Sequence, residues 1–255
     1  MFKHQGPSRS PRQNAILAAY LALVGGFVNS AGFVLIGQFT SHVTGNIGRL
    51  ANDVASREWS AAGGAAAMIV AFFCGAFVAS MIIESEAFGS AAYAYGTSLA
   101  LEALLLFAVL ATFTAGGGSD RIRSLDGATL CAAMGVQNSL VTRLSGAVIR
   151  TTHLTGVVTD LGIESARWFR WLRGRATDAW RVKLSFGATP PERPAGRIGL
   201  LGIIAAAFTC GAIAGAAGAT AFRHMALALP LVSLVAGAAY AFASGRSVSS
   251  RRVDR

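Results

Sequence analysis

Charge is what this sequence has least of. Only 13% of its 255 residues are Asp, Glu, Lys or Arg, against about a quarter in an ordinary soluble domain, which argues against a chain that folds in water. Cysteine is as scarce. Cys74, Cys131 and Cys210 are an odd set, form no C-x-x-C pair and lie inside apolar runs. A disulfide framework and a zinc site are therefore not expected, and all three read as small packing residues. Catalytic signatures are missing too: there is no G-x-S-x-G, no P-loop, no H-E-x-x-H and no Gly-rich dinucleotide turn. Gly116-Gly117-Gly118 reads as a turn between helices rather than a phosphate cradle. The chain is expected to be no enzyme and to carry no cofactor or metal. Its first 14 residues are polar and basic, and the first apolar run is long enough to span, so a cleavable secretory leader is not expected.

What the chain does have is apolar length. Hydrophobic residues make up 53% of it, gathered in six runs at 16–37, 61–83, 91–114, 128–149, 196–221 and 225–244. Each reaches the roughly 20 residues needed to cross a bilayer. All are rich in Ala and Gly, which favours close helix packing in lipid. The expected fold is all-α: a polytopic helical membrane protein of six transmembrane helices.

The net charge of +10 is unevenly placed. Lys and Arg number 3 in residues 1–15, 9 in 150–197 and 4 after Ser244. With six spans these segments fall on one side, as the positive-inside rule requires. Both termini are expected in the cytoplasm, with a disordered tail at 1–15 and a basic one at 245–255. The base-free connection at 84–90, with Glu84 and Glu86, falls on the same side and departs from the trend. The excess charge is read as topology, with anionic lipid at the basic loop 166–197 as its partner, and not nucleic acid.

The chain also repeats itself. Thr40-Ser41-His42-Val43-Thr44-Gly45-Asn46 returns as Thr151-Thr152-His153-Leu154-Thr155-Gly156, and further on Leu50 meets Leu161 and Asp53 meets Glu164. Upstream, Gly26-Phe27-Val28-Asn29-Ser30 corresponds to Gly135-Val136-Gln137-Asn138-Ser139. Downstream, Ala71-Phe72-Phe73-Cys74-Gly75-Ala76 corresponds to Ala207-Phe208-Thr209-Cys210-Gly211-Ala212. These matches divide the chain into three-span repeats at 16–114 and 127–244, joined by 115–126. An odd number of spans inverts the second repeat relative to the first, the plan of many secondary transporters.

Each Thr-Gly segment is read as a short half-helix that re-enters the protein or lies at the interface, with Thr40 or Ser41 as N-cap of the first and Trp59 as an interfacial anchor. The substrate-binding residues expected are Thr40, His42, Thr44, Gly45 and Asn46 with Thr151, His153, Thr155 and Gly156. Free N–H groups at two helix starts would favour an anion or a small polar solute; alternatively the hydroxyls cap two interfacial helices. His42 and His153 have no further ligand at standard spacing, so hydrogen bonding is their expected role. Asn29, Gln137, Asn138 and Arg143 complete the set, as polar residues within spans that should face the bundle interior. Arg143 could meet an anionic solute, snorkel, or pair with Glu102, read as the only carboxylate well inside a span.

At these motifs the chain resembles the YoaK-like family of bacterial integral membrane proteins of unknown function. The carrying residues are Gly26-Phe27-Val28-Asn29-Ser30-Ala31-Gly32-Phe33, Phe39 through Asn46, Gly135-Val136-Gln137-Asn138 and Arg150-Thr151-Thr152-His153-Leu154-Thr155-Gly156. The resemblance implies a multi-pass protein of the bacterial inner membrane, without a substrate. The family commonly places Asp where this chain has Asn29, which argues against proton coupling here. The expected function is a small secondary transporter or channel-like protein for a small polar or anionic solute. The alternative is a membrane scaffold or accessory subunit. The lipid-facing surface of so small a bundle leaves room for a homodimer.

Overall fold

The computed structural model describes residues 11–85, 88, 90–116, 119–144, 154–181 and 195–253. The described residues are helical throughout, without a strand. In chain order the helices are α1 (Pro11–Ile36), α2 (Val43–Ala55), α3 (Trp59–Glu84), α4 (Ala91–Thr114), α5 (Asp120–Leu144), α6 (Leu154–Arg181), α7 (Ala195–Phe222) and α8 (Ala228–Val253), with a 3-10 turn at Arg223–Leu227 between the last two. Residues 1–10 of the tail and residues 182–194 of the basic loop lie outside the described residues.

Among the described residues four stretches are long and apolar enough to cross a membrane: Ala15–Ile36, Trp59–Glu84, Ala91–Thr114 and Ile198–Arg246, the last covering most of both α7 and α8. In Trp59–Glu84 only 17% of the apolar window is buried within the protein. Phe73, Phe77 and Met81 stand exposed on α3, as do Leu104 and Phe107 on α4 and Ile213 on α7. Apolar surface on this scale needs lipid against it, and it makes the chain an integral membrane protein.

α5 is the exception to the six-run expectation. It carries Asp120, Arg121, Arg123, Asp126, Gln137, Asn138 and Arg143 and is not among the stretches apolar enough to cross unaided. Its middle is sheltered by protein instead: Asp126 and Gln137 are buried beside Leu130, Met134, Leu140 and Val141, while Arg121, Arg123 and Arg143 stand exposed towards its two ends. Such a helix is tolerated at depth because its neighbours replace lipid.

α1 packs along α7 and α3 along α5, while α4 lies against α8 and α5. Glycine sets the closest approaches. A Cβ on Gly26 would collide with the carbonyl of Phe208 and reach 3.0 Å from the Ala212 amide; one on Gly135 would collide with the carbonyl of Phe72 and reach 2.9 Å from the Ala76 amide. From the other side, Gly211 faces the Leu23 backbone and Gly75 faces that of Ala132. These four glycines belong to the doubled motifs.

α2 packs on α3 and α6 on α7. α2 ends with Arg57 at φ +60°, where Arg57 N–H donates to Val54 O and Glu58 N–H to Asp53 O. That double reversal satisfies the last carbonyls and turns the chain straight into α3. α6 is longer than the short segment expected. It runs on to Arg181 through what was read as the start of the basic loop, helped by the Glu164–Arg167 pair one turn apart at 2.8 Å and by the lack of proline.

Candidate functional site

The site begins where α1 ends. Gly37 takes φ +79°, a left-handed conformation open to glycine at no steric cost, and its N–H closes the last turn on Phe33 O at 2.8 Å. The chain then doubles back. Phe39 stacks on Phe33 with ring centroids 4.3 Å apart. Asn29 Oδ1 accepts from both the Ser41 amide and the Ser41 hydroxyl, each at 3.0 Å. Asn29 lies seven residues before Ile36, about 10 Å back along the helix axis at ~1.5 Å per residue. α2 therefore starts well below the end of α1.

The N-cap is His42, not Thr40 or Ser41, and its side chain makes no capping bond. The expectation fails because both hydroxyl residues are committed elsewhere: Ser41 to Asn29, and Thr40 to the interior, with its Oγ1 unpartnered and its methyl against Gly32. The His42 ring folds back over Gly45, where an added Cβ would collide with Nδ1. This explains the His-x-x-Gly spacing. The Gly45→Ala variant is expected to lower the melting temperature by a few degrees, although Ala favours a helix by about 1 kcal/mol over Gly. In a His42→Ala background the same change should raise it. A thermal melt of the four proteins decides; a rise in both backgrounds would refute the packing.

Around this turn lies a cavity of about 620 Å³. Matching positions of the two halves line it in pairs: Asn29 with Asn138, Val43 with Leu154, Thr44 with Thr155 and Phe72 with Phe208. Phe39, Ser41, His42 and Thr142 complete the wall. The first turns of α2 and α6 both open on the cavity. There the backbone N–H groups precede the first i−4 carbonyl and carry the positive end of the helix dipole. The described lining contains no Lys, Arg, Asp or Glu. The cavity thus offers a few amides, hydroxyls and an imidazole among mostly apolar walls that include three phenylalanine faces.

Of the residues expected from the sequence, Asn29, His42, Thr44, Asn138 and Thr155 meet at this cavity. Thr40, Gly45, Asn46, Gln137, Arg143 and Gly156 do not line it. Asn46 is buried and opens the helical ladder, its N–H donating to His42 O at 3.1 Å. Gly156 lies in the first turn of α6. Thr151 and His153 lie outside the described residues.

One of the pairings weighed for Arg143 is corrected, and so is the reading of Glu102 as the lone carboxylate within a span. Arg143 pairs with Glu84 at the end of α3, not with Glu102. The bridge is about half exposed on both sides and contributes little beyond satisfying the helix end. Glu102 is fully buried and accepts from Gln137 Nε2 at 3.1 Å. Glu102 is also not alone: Asp126 is 2% exposed and accepts from the Thr112 hydroxyl at 2.7 Å. Asp126 lay just outside the run taken as the fourth span. Asp53 pairs with Arg49 and Glu164 with Arg167, and neither carboxylate lines the cavity beside a histidine. Phe72 and Phe208 were missed as site residues, although the Ala-Phe match between the halves marked them.

Fold and cavity define the class: an all-helical integral membrane protein with a largely apolar cavity, set with a few polar groups, onto which two helix N-termini open. The family model for proteins of unknown function known as DUF1275 matches residues 17–240. The chain belongs to that family, in agreement with the resemblance carried by the doubled motifs. Searches of curated proteins and of solved structures found no match.

Proposed function

We propose that the protein is a small secondary transporter or channel of the inner membrane, built as two inverted three-span repeats, with α1, α3 and α4 in one and α5, α7 and α8 in the other. α2 and α6 enter from opposite faces, and a small polar or anionic solute passes through the cavity between them. The observation that carries this reading is the lining itself, four pairs of residues taken from matching positions of both halves. The exchanged glycine contacts support it, since α1 meets α7 as α5 meets α3. The basic segments support an orientation with both termini in the cytoplasm. The proposed role is passage, without chemistry on the solute.

Thermal stability of the purified protein across a panel of small anions, amino acids and nucleobases tests the proposal. A solute that binds only the folded state at a hundred times its Kd stabilises it by about 2.7 kcal/mol. Thr44→Val and Thr155→Val each remove one hydroxyl, worth about 0.5–1.5 kcal/mol. Each is expected to weaken that solute about twofold to tenfold while leaving the unliganded melt unchanged. A well-folded protein that answers no solute would instead favour the scaffold.

A further inference from the structure

A second cleft, of about 1220 Å³, opens where α1 stops and α3 and α5 begin. Three arginines from two helices line its mouth: Arg49 of α2, and Arg121 and Arg123 at the start of α5. Glu58 is the one carboxylate in the lining, and Arg49 is shared with Asp53 across 3.6 Å. Ser60 and Ser124 add hydroxyl donors. The lining is therefore basic on balance, three guanidinium groups against one carboxylate.

Below the mouth the wall changes character. Ala61, Gly64 and Ala67 of α3 and Ala128 of α5 line it with hardly any side chain. A Cβ on Gly64 would meet only Ser124 Oγ, at 3.6 Å, so the seam between α3 and α5 stays open as a furrow. At the rim Trp59 is 67% exposed, the setting in which indoles mark the headgroup level of a bilayer. A positive mouth over an apolar furrow has the polarity of a phospholipid, and its volume far exceeds that of a free phosphate.

We propose that this cleft holds an anionic phospholipid, its phosphate between Arg49, Arg121 and Arg123 and the upper part of one acyl chain along Gly64 and its alanine neighbours. Guanidinium groups bind phosphate oxygens through paired, charge-assisted hydrogen bonds. The site is separate from the central cavity and does not depend on the transport reading. It is also distinct from the basic loop, where the sequence alone placed anionic lipid.

The test uses the full chain, purified and stripped of lipid. Native mass spectrometry and thermal melts are recorded after adding micelles containing phosphatidylglycerol or phosphatidylcholine and, separately, inorganic phosphate. Wild type is expected to retain phosphatidylglycerol and to melt several degrees higher with it than with phosphatidylcholine. The double variant Arg121→Gln, Arg123→Gln should bind it about tenfold more weakly, and Arg223→Gln, outside the cleft, should bind it as wild type does. Gly64→Leu, which fills the furrow, should lose the lipid while keeping its unliganded melt. Equal retention by wild type and the double variant would overturn the site. Equal stabilisation by phosphatidylcholine would overturn the anionic headgroup, and stabilisation by inorganic phosphate as large as that by lipid would overturn the lipid.

Discussion

A Gly135→Leu chain is expected to reach the membrane but to yield no monodisperse folded protein. Gly135 is where α5 crosses α3, and the atoms a side chain would strike there are backbone: the Phe72 carbonyl and the Ala76 amide. A flexible side chain could move aside, but a helix backbone moves only with the whole helix. The reverse face has no slack either, since Gly75 is pressed against the backbone of Ala132. Over-packing an ordinary core costs about 1–3 kcal/mol. Here the cost should exceed that, because separating the two helices forfeits their entire seam, and in lipid packing is the main force holding helices together. Gly26→Leu should act likewise at the crossing of α1 and α7. Gly63→Leu is the control: the residue is exposed, and a Cβ there meets nothing within 4 Å. Size-exclusion profiles of the three variants in detergent decide the matter. A Gly135→Leu protein that elutes and melts as wild type would refute the close approach.

The second large effect is expected at Asn29. Its Oδ1 ties the body of α1 to the segment that starts α2 by holding two donors of Ser41 at once. Asn29→Leu leaves both without that acceptor in a partly buried place, at about 1–3 kcal/mol for each unsatisfied group. For a chain of this size each kcal/mol shifts the melting temperature by roughly 2–4 °C, so a fall of several degrees is expected. Asn29→Asp keeps the acceptor oxygens and sits near the positive start of α2, so it should melt close to wild type. That contrast separates lost volume from lost hydrogen bonding. If the leucine and aspartate variants melt together, Asn29 does not hold the turn. Any solute that stabilises the wild-type protein should also lose affinity in Asn29→Leu, because the same side chain lines the cavity.

Much of this was legible along the chain because it depends on local pattern. Apolar runs of the right length give helices whatever they pack against. The doubled Thr-Gly motif marked the starts of α2 and α6, at Val43 and Leu154. Gly26, Gly75, Gly135 and Gly211 all lie in the doubled motifs, but helical glycines such as Gly63 and Gly202 meet nothing within 4 Å, so only the structure shows which of them stand at close crossings. The polar positions Asn29 and Asn138, set within apolar runs, pointed to the cavity that they line.

The pairings were decided only in three dimensions. Sequence spacing reports neighbours three or four residues apart on one helix. It is silent on how one helix is rotated about its axis against another, and a turn of one residue moves a side chain by about 100°. Hence Glu102 faces Gln137 while Arg143 reaches Glu84, although the sequence made Glu102 and Arg143 equally natural partners. Hence, too, Thr40 and Ser41 turn away from the helix start they were expected to cap, because Asn29 and the interior hold them. The sequence by itself determined the helices and the doubled motifs of this membrane protein. Only the tertiary structure, by fixing the rotation of each helix, decided which polar groups satisfy one another and which open on the central cavity.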